Sequence, residues 1–163
     1  MNKLIKSKAR VKEFAEVFTP DFIVKDMCNL IPAEIWERID STFLEPACGT
    51  GNFLVEILAR KYKLCKTSKD GLKALASVVG IDIQADNCEE CRKRLLEQYI
   101  ENFPTANSMA IAMAYKILQN NIICGDSLKI QEQWIKTNEK DKEITDEKNK
   151  TIGFYCRRSR DSI

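Results

Sequence analysis

STFLEPACGTGNFL, residues 41–54, passes from a short apolar run through a proline and two glycines into a new apolar periodicity. The run STFLE reads as a strand that Pro46 stops, since proline has no amide to donate to a ladder. Phe53, Leu54, Ile57 and Leu58 recur at helical spacing and predict a helix to about Leu64. Strand, glycine loop and helix are the opening unit of an α/β fold. The loop between them admits three uses: a tight structural turn, a phosphate cradle, or a pocket for a ligand without phosphate.

The flanking sequence extends the alternation. Upstream, EVFTPDFIVKDMCNLIP (16–32) reads as a helix with Thr19 as N-cap, Pro20 in the first position and Pro32 as its end. Its apolar face is predicted to be Phe22, Ile23, Met27 and Leu30. Downstream, CKTSKDG (65–71) reads as a polar link, and ASVVGID (76–82), rich in β-branched residues, as a second strand. DNCEECRKRLLEQYIENF (86–103) reads as a helix with Asp86 as N-cap and Glu89 completing a capping box. Its buried stripe is predicted to be Cys88, Cys91, Leu95, Tyr99 and Phe103. NSMAIAMAYKIL (107–118) is a further helix with small residues on its buried face, and NIIC (121–124) a third strand closed by GDSL. This order predicts a parallel, right-handed α/β sheet. Each strand runs out at a carboxylate, Glu45, Asp82 and Asp126, and in such sheets the ligand crevice lies at the carboxyl ends of the strands.

Composition bounds the classes. A chain of 163 residues, 44% apolar, can bury one core, and a formal charge of +2 excludes a strongly basic nucleic-acid coat. No apolar run reaches the roughly 18 residues of a membrane span, and MNKLIKSKARVKEF lacks an apolar signal core, so a cytoplasmic protein with no membrane partner is expected. Seven scattered cysteines predict reduced thiols. The close pair Cys88 and Cys91 lacks the second pair or histidines that zinc requires, so no metal site is assigned and both are read as core residues. From Lys129 to Ile163, 16 of 35 residues are charged, which predicts a disordered or poorly placed tail.

The residue types narrow the loop's ligand. A phosphate-binding P-loop needs a Lys-Ser/Thr pair after its glycines, and the dinucleotide fingerprint needs a third glycine where Leu54 stands. The glycines still allow close backbone approach, and the following helix offers free N–H groups. Asp82 suits two adjacent ribose hydroxyls, one on each carboxylate oxygen. Asp126 suits an adenine amino group, and Glu45 a positive amine. S-adenosylmethionine carries those groups and no phosphate. Taken singly, a GxG is more often a plain turn and a strand-end carboxylate often caps a helix or faces water.

VFTP, FLEPACGTGNFL, VVGIDIQADN and NIICGDSL together resemble the S-adenosylmethionine-binding half of DNA adenine methyltransferases, the modification enzymes of restriction–modification systems, over about residues 16–128. The resemblance implies a Rossmann-like class I methyltransferase fold, incomplete, with about three parallel strands. It implies cofactor contacts at Phe18, Thr19 and Pro20, with Thr19 near the methionine end, and at Glu45, Ala47, Cys48, Gly49 and Gly51 in the glycine loop. It further implies Asp82 as the ribose-binding acid, Ile83 against the adenine, Asp126 on the adenine amine and Leu128 on the ring's other face. DNA is the implied partner, and the adenine exocyclic amine the implied methyl acceptor.

The family's catalytic Asn/Asp-Pro-Pro-Tyr/Phe motif has no counterpart, since the four prolines, Pro20, Pro32, Pro46 and Pro104, are all isolated. No catalytic residue is therefore assigned. The expectation is a cofactor-binding portion, residues 1–128, followed by a charged or frameshifted tail, residues 129–163. Such a portion is inactive alone and leaves its first strand as an exposed edge. A second polypeptide carrying the catalytic and target-recognition parts would complete it. The alternatives are a non-catalytic or cofactor-sensing subunit, and a portion of an RNA or protein-glutamine methyltransferase.

Overall fold

Three parallel strands, β1 (Phe43–Glu45), β2 (Val78–Asp82) and β3 (Ile122–Cys124), form one sheet in the order β1-β2-β3. The computed structural model describes residues 4–14 and 16–130. Glu45 stands level with Gly80, and Asp82 with Cys124, so all three strands run out on one edge of the sheet. Seven helices surround them among the described residues: α1 (Lys8–Phe14), α2 (Asp21–Asn29), α3 (Ala33–Trp36), α4 (Asn52–Tyr62), α5 (Ser68–Ala76), α6 (Ala85–Asn102) and α7 (Ser108–Asn121). The architecture is α/β, with α4 and α5 linking β1 to β2 and α6 and α7 linking β2 to β3, compatible with a Rossmann-like fold. β1 pairs only with β2 among the described residues.

The core follows the predicted stripes of α4 and α6. Leu54, Leu58, Leu75, Val78, Leu95, Tyr99 and Ile122 are fully buried, and so are both Cys88 and Cys91. The six described cysteines are free thiols. Among the described residues no helix is long and apolar enough to cross a membrane. Residues 127–130 form a helical turn, Ile130 N donating to Asp126 O at 3.0 Å. Of the tail assigned to residues 129–163, residues 131–163 lie outside the described residues.

Four local expectations are corrected. CKTSKDG is not a link: Thr67 caps α5, its hydroxyl accepting from Asp70 N while the Asp70 carboxylate accepts from Thr67 N. That reciprocal pair satisfies two of the orphan amides and outweighs the propensity cost of Gly71 inside the helix. α6 begins at Ala85 with Gln84 in the cap position, so Asp86 sits in the first turn and its carboxylate turns outward to Arg10 and Lys6 at 2.6 and 2.7 Å. Those two hydrogen bonds hold the Asp86 carboxyl well below the usual carboxylate range. α2 begins at Asp21 with Pro20 in the cap position, and Thr19 makes no side-chain cap. Finally, α2 packs on α4 through Val24 and Cys28, whereas Phe22, Met27 and Leu30 are 67%, 48% and 82% exposed. The helix carries apolar residues on two sides, and sequence periodicity selected the side that the described residues leave open.

At the opposite end of the strands, Lys61 is fully buried. Its ammonium donates to Ile39 O, Ser41 O and Ser77 Oγ and lies 5.0 Å from the Phe43 ring centroid. It ties the entries of β1 and β2 together, and burial lowers it from an ordinary value near 10.5 to about 8.

Candidate functional site

Two positive φ angles shape the loop after β1. Gly49 at +52° and Gly51 at +88° lie in the left-handed region that side-chain-bearing residues avoid. A Cβ on Gly49 would stand 3.2 Å from the Phe18 ring, so that ring rests on the loop backbone. Cys48 N donates to Ile81 O at 2.8 Å and Gly51 N to Cys48 O at 2.8 Å, which folds the loop back across β2. The Cys48 thiol turns into the core against Gly80, and its hydrogen bond with Cys91, together with burial, raises it above the ordinary thiol value. Cys48 thus shapes the loop through its backbone while its thiol packs in the core.

The β2 acid is the hub. Asp82 Oδ2 accepts from Gly49 N at 2.9 Å, across 33 residues, which joins the glycine loop to the strand-end acid. Oδ1 accepts from Gln84 N at 2.8 Å and from Asn87 Nδ2 at 3.1 Å. The Asp82 carbonyl accepts from Gly125 N at 2.9 Å, which brings the exit of β3 to the same place. A carboxylate offers about four lone-pair positions. Oδ1 thus carries two of these hydrogen bonds and Oδ2 one, so by lone-pair count Oδ2 keeps a further acceptor position.

The other assigned residues divide into two groups. Glu45 accepts from Ala47 N at 3.3 Å, and burial raises its carboxyl above the ordinary value. Asp126 Oδ1 accepts from Leu128 N at 3.0 Å and Oδ2 lies 3.7 Å from Lys129 Nζ, so this acid also organises its own turn. Ile83 and Leu128 are exposed beside the strand ends, at 57% and 70%. Phe18 and Thr19, in contrast, line a cavity of about 520 Å3 with Thr50, Asn52, Glu90 and Arg94. Pro20 follows them as the start of α2. None of Glu45, Asp82 and Asp126 is among the described residues lining that cavity. Asn52 Nδ2 donates to Thr19 O at 2.9 Å and Arg94 Nη1 to Thr50 O at 2.6 Å, so the cavity wall is braced against the glycine loop.

Two contributors escaped the sequence reasoning. Asn87 is 1% exposed and contacts Asp82, and Glu16 accepts from Asn87 Nδ2 at 2.9 Å. Their signal was present: Asn87 stands four residues before Cys91 and eight before Leu95, a polar residue on a buried stripe. Among the described residues no cluster of three or more His, Cys, Asp or Glu is able to hold a metal.

Over 80 residues, 49% of this chain, the sequence is 35% identical to the type II methyltransferase M.VspI of Vibrio sp. (strain 343). The match spans 16% of that protein's length. No protein-family model and no solved structure matches the chain. The similarity supports a methyltransferase relationship.

Proposed function

We propose that this chain is the S-adenosylmethionine-binding portion of an adenine-specific DNA methyltransferase of a restriction–modification system, with the class I methyltransferase fold. The observation that carries it is the 2.9 Å hydrogen bond between Gly49 N and Asp82 Oδ2, which joins the glycine loop to the acid ending the adjacent strand. Three features support the cofactor: by lone-pair count Asp82 Oδ2 keeps a further acceptor position, Ile83 and Leu128 offer exposed apolar surface, and Phe18 and Thr19 border a cavity beside the loop. Bound there, S-adenosylmethionine supplies an electrophilic methyl on sulfur. Asp82 would orient the ribose, Asp126 would accept from the adenine amine, and Glu45 would offset the ammonium. No residue of this chain is assigned to the acceptor amine, so methyl transfer to adenine in DNA relies on a segment that supplies that contact.

Calorimetry with S-adenosylmethionine tests this directly. Losing one hydrogen bond to a charged acceptor costs about 1.5–3 kcal/mol, so Asp82→Ala is expected to weaken binding roughly tenfold to a hundredfold. Unchanged affinity in a folded Asp82→Ala variant refutes the assignment. A second role, a subunit completing a partner's sheet, is supported by the open edge of β1 and the exposed face of α2. Co-purification with a second polypeptide carrying the Asn-Pro-Pro-Tyr motif separates that role from the first.

A further inference from the structure

Asp82 does not stand alone at the strand end. Asn87 Nδ2 has two hydrogens, and both are used: one reaches Asp82 Oδ1 at 3.1 Å and the other Glu16 Oε2 at 2.9 Å. Glu16 Oε2 in turn accepts from Arg10 Nε at 3.1 Å and from Arg10 Nη2 at 2.5 Å. Arg10 is itself anchored to Asp86 Oδ2 at 2.6 Å on the first turn of α6. The chain of contacts therefore runs from α1 through the segment before Phe18 into α6, and ends on the carboxylate proposed to hold the ligand.

This network is poor as a stabilising device. Glu16 Oε1 and Asn87 Oδ1 are buried and have no hydrogen-bond partner among the described residues. Buried acceptors left unpaired cost stability, and an apolar pair would fill the same space without that cost. What the charged arrangement, with both Arg10 nitrogens on Glu16 Oε2, provides instead is direction. With one amide hydrogen on each carboxylate, the plane of Asn87 is set, and Asn87 joins Gly49 N and Gln84 N in fixing the rotation of the Asp82 carboxylate.

We propose that Glu16 and Asn87 are positioning residues that hold the Asp82 carboxylate with the further acceptor position of Oδ2 toward a ribose hydroxyl of the ligand, and so determine selectivity for ribose over deoxygenated sugars. The inference rests on the ligand assignment made above for Asp82. Asn87 acts by direct contact with the carboxylate. Glu16 does not touch it and acts through Asn87, with Arg10 holding the glutamate in place.

The test uses the full chain and two probes, 5′-methylthioadenosine and its 2′,3′-dideoxy counterpart, whose affinities are compared by calorimetry. Wild type is expected to prefer the ribose form by tenfold or more. Glu16→Ala and Asn87→Ser are expected to bring that ratio to within about threefold of unity. Glu16→Gln keeps an acceptor for Asn87 and Arg10 and is expected to keep most of the preference. General weakening of the fold lowers both affinities together and leaves the ratio alone. Backbone amide spectra give a readout independent of ligand: the Gly49 and Gln84 resonances, whose amides donate to Asp82, are expected to shift in Glu16→Ala. If Asn87→Ser does not fold, the two Glu16 variants decide the matter. A wild-type ratio in folded Glu16→Ala, or unmoved Gly49 and Gln84 amides, overturns the positioning role while leaving the ligand assignment intact. A wild-type protein without preference for ribose overturns the ligand assignment and this inference with it.

Discussion

Gly51→Ala is expected to destabilise the fold through a contact far from it in sequence. At Gly51, φ is +88° and ψ 25°, and a Cβ built there stands 2.6 Å from Cys91 Sγ on α6. The left-handed backbone costs an alanine about 1–2 kcal/mol. The clash adds about 1–3 kcal/mol, because Cys91 is fully buried and has nowhere to go. Reduced freedom of the unfolded chain returns at most about 1 kcal/mol. The net expectation is about 2–4 kcal/mol, read as a lower urea midpoint at unchanged slope. A double-mutant cycle isolates the steric part. Cys91→Ala alone removes a small buried group and costs about 1 kcal/mol, but in the Gly51→Ala background it also removes the clash. The double variant is then more stable than the sum of the singles by about 1–3 kcal/mol. Strict additivity, or a Gly51→Ala variant within about 0.5 kcal/mol of wild type, refutes the claim that this glycine exists to let α4 and α6 approach.

Gly71→Ala is expected to destabilise by about 1–2 kcal/mol in thermal melts despite improved helix propensity, since its Cβ collides with the buried Phe103 ring. Thr67→Ala removes the capping box of α5 and is expected to cost about 1 kcal/mol in urea unfolding. Lys61 gives the pH dependence. Burial lowers it from 10.5 to about 8, so between those values the unfolded chain binds more protons than the folded one. Stability relative to Lys61→Met is therefore expected to rise as pH increases from about 8 to 10.5, by up to about 3 kcal/mol. A flat difference between the two proteins across that window refutes the assignment.

The site was partly legible in the sequence. The glycine loop and the acids Glu45, Asp82 and Asp126 were placed at strand ends, because β-branched runs, prolines and glycines act over a few residues. Helix α5 was missed although TSKD carries a capping box, because Gly71 and the surrounding charges read as a link. The roles of Asp82 and Asp126 in bonding their own loops were not legible, since a carboxylate's partners depend on which amides the fold brings to it. Thr19 read as a helix cap, yet its carbonyl is held by Asn52 and the helix starts two residues later.

The α/β alternation, the three strands and the apolar stripe of α6 were determined by sequence alone, since each rests on a period or a turn residue within one element. Tertiary structure decided everything that needed a second element. It turned Val24 and Cys28 rather than Phe22 and Met27 of α2 toward α4, and it seated Cys91 where a side chain at residue 51 would stand. It also carried Glu16 across 71 residues to Asn87, and through Asn87 to Asp82. Periodicity ranks the faces of a helix by polarity but does not say which neighbour arrives. A helix with apolar residues on two sides, or a polar residue on a buried stripe, is resolved only by the packing itself.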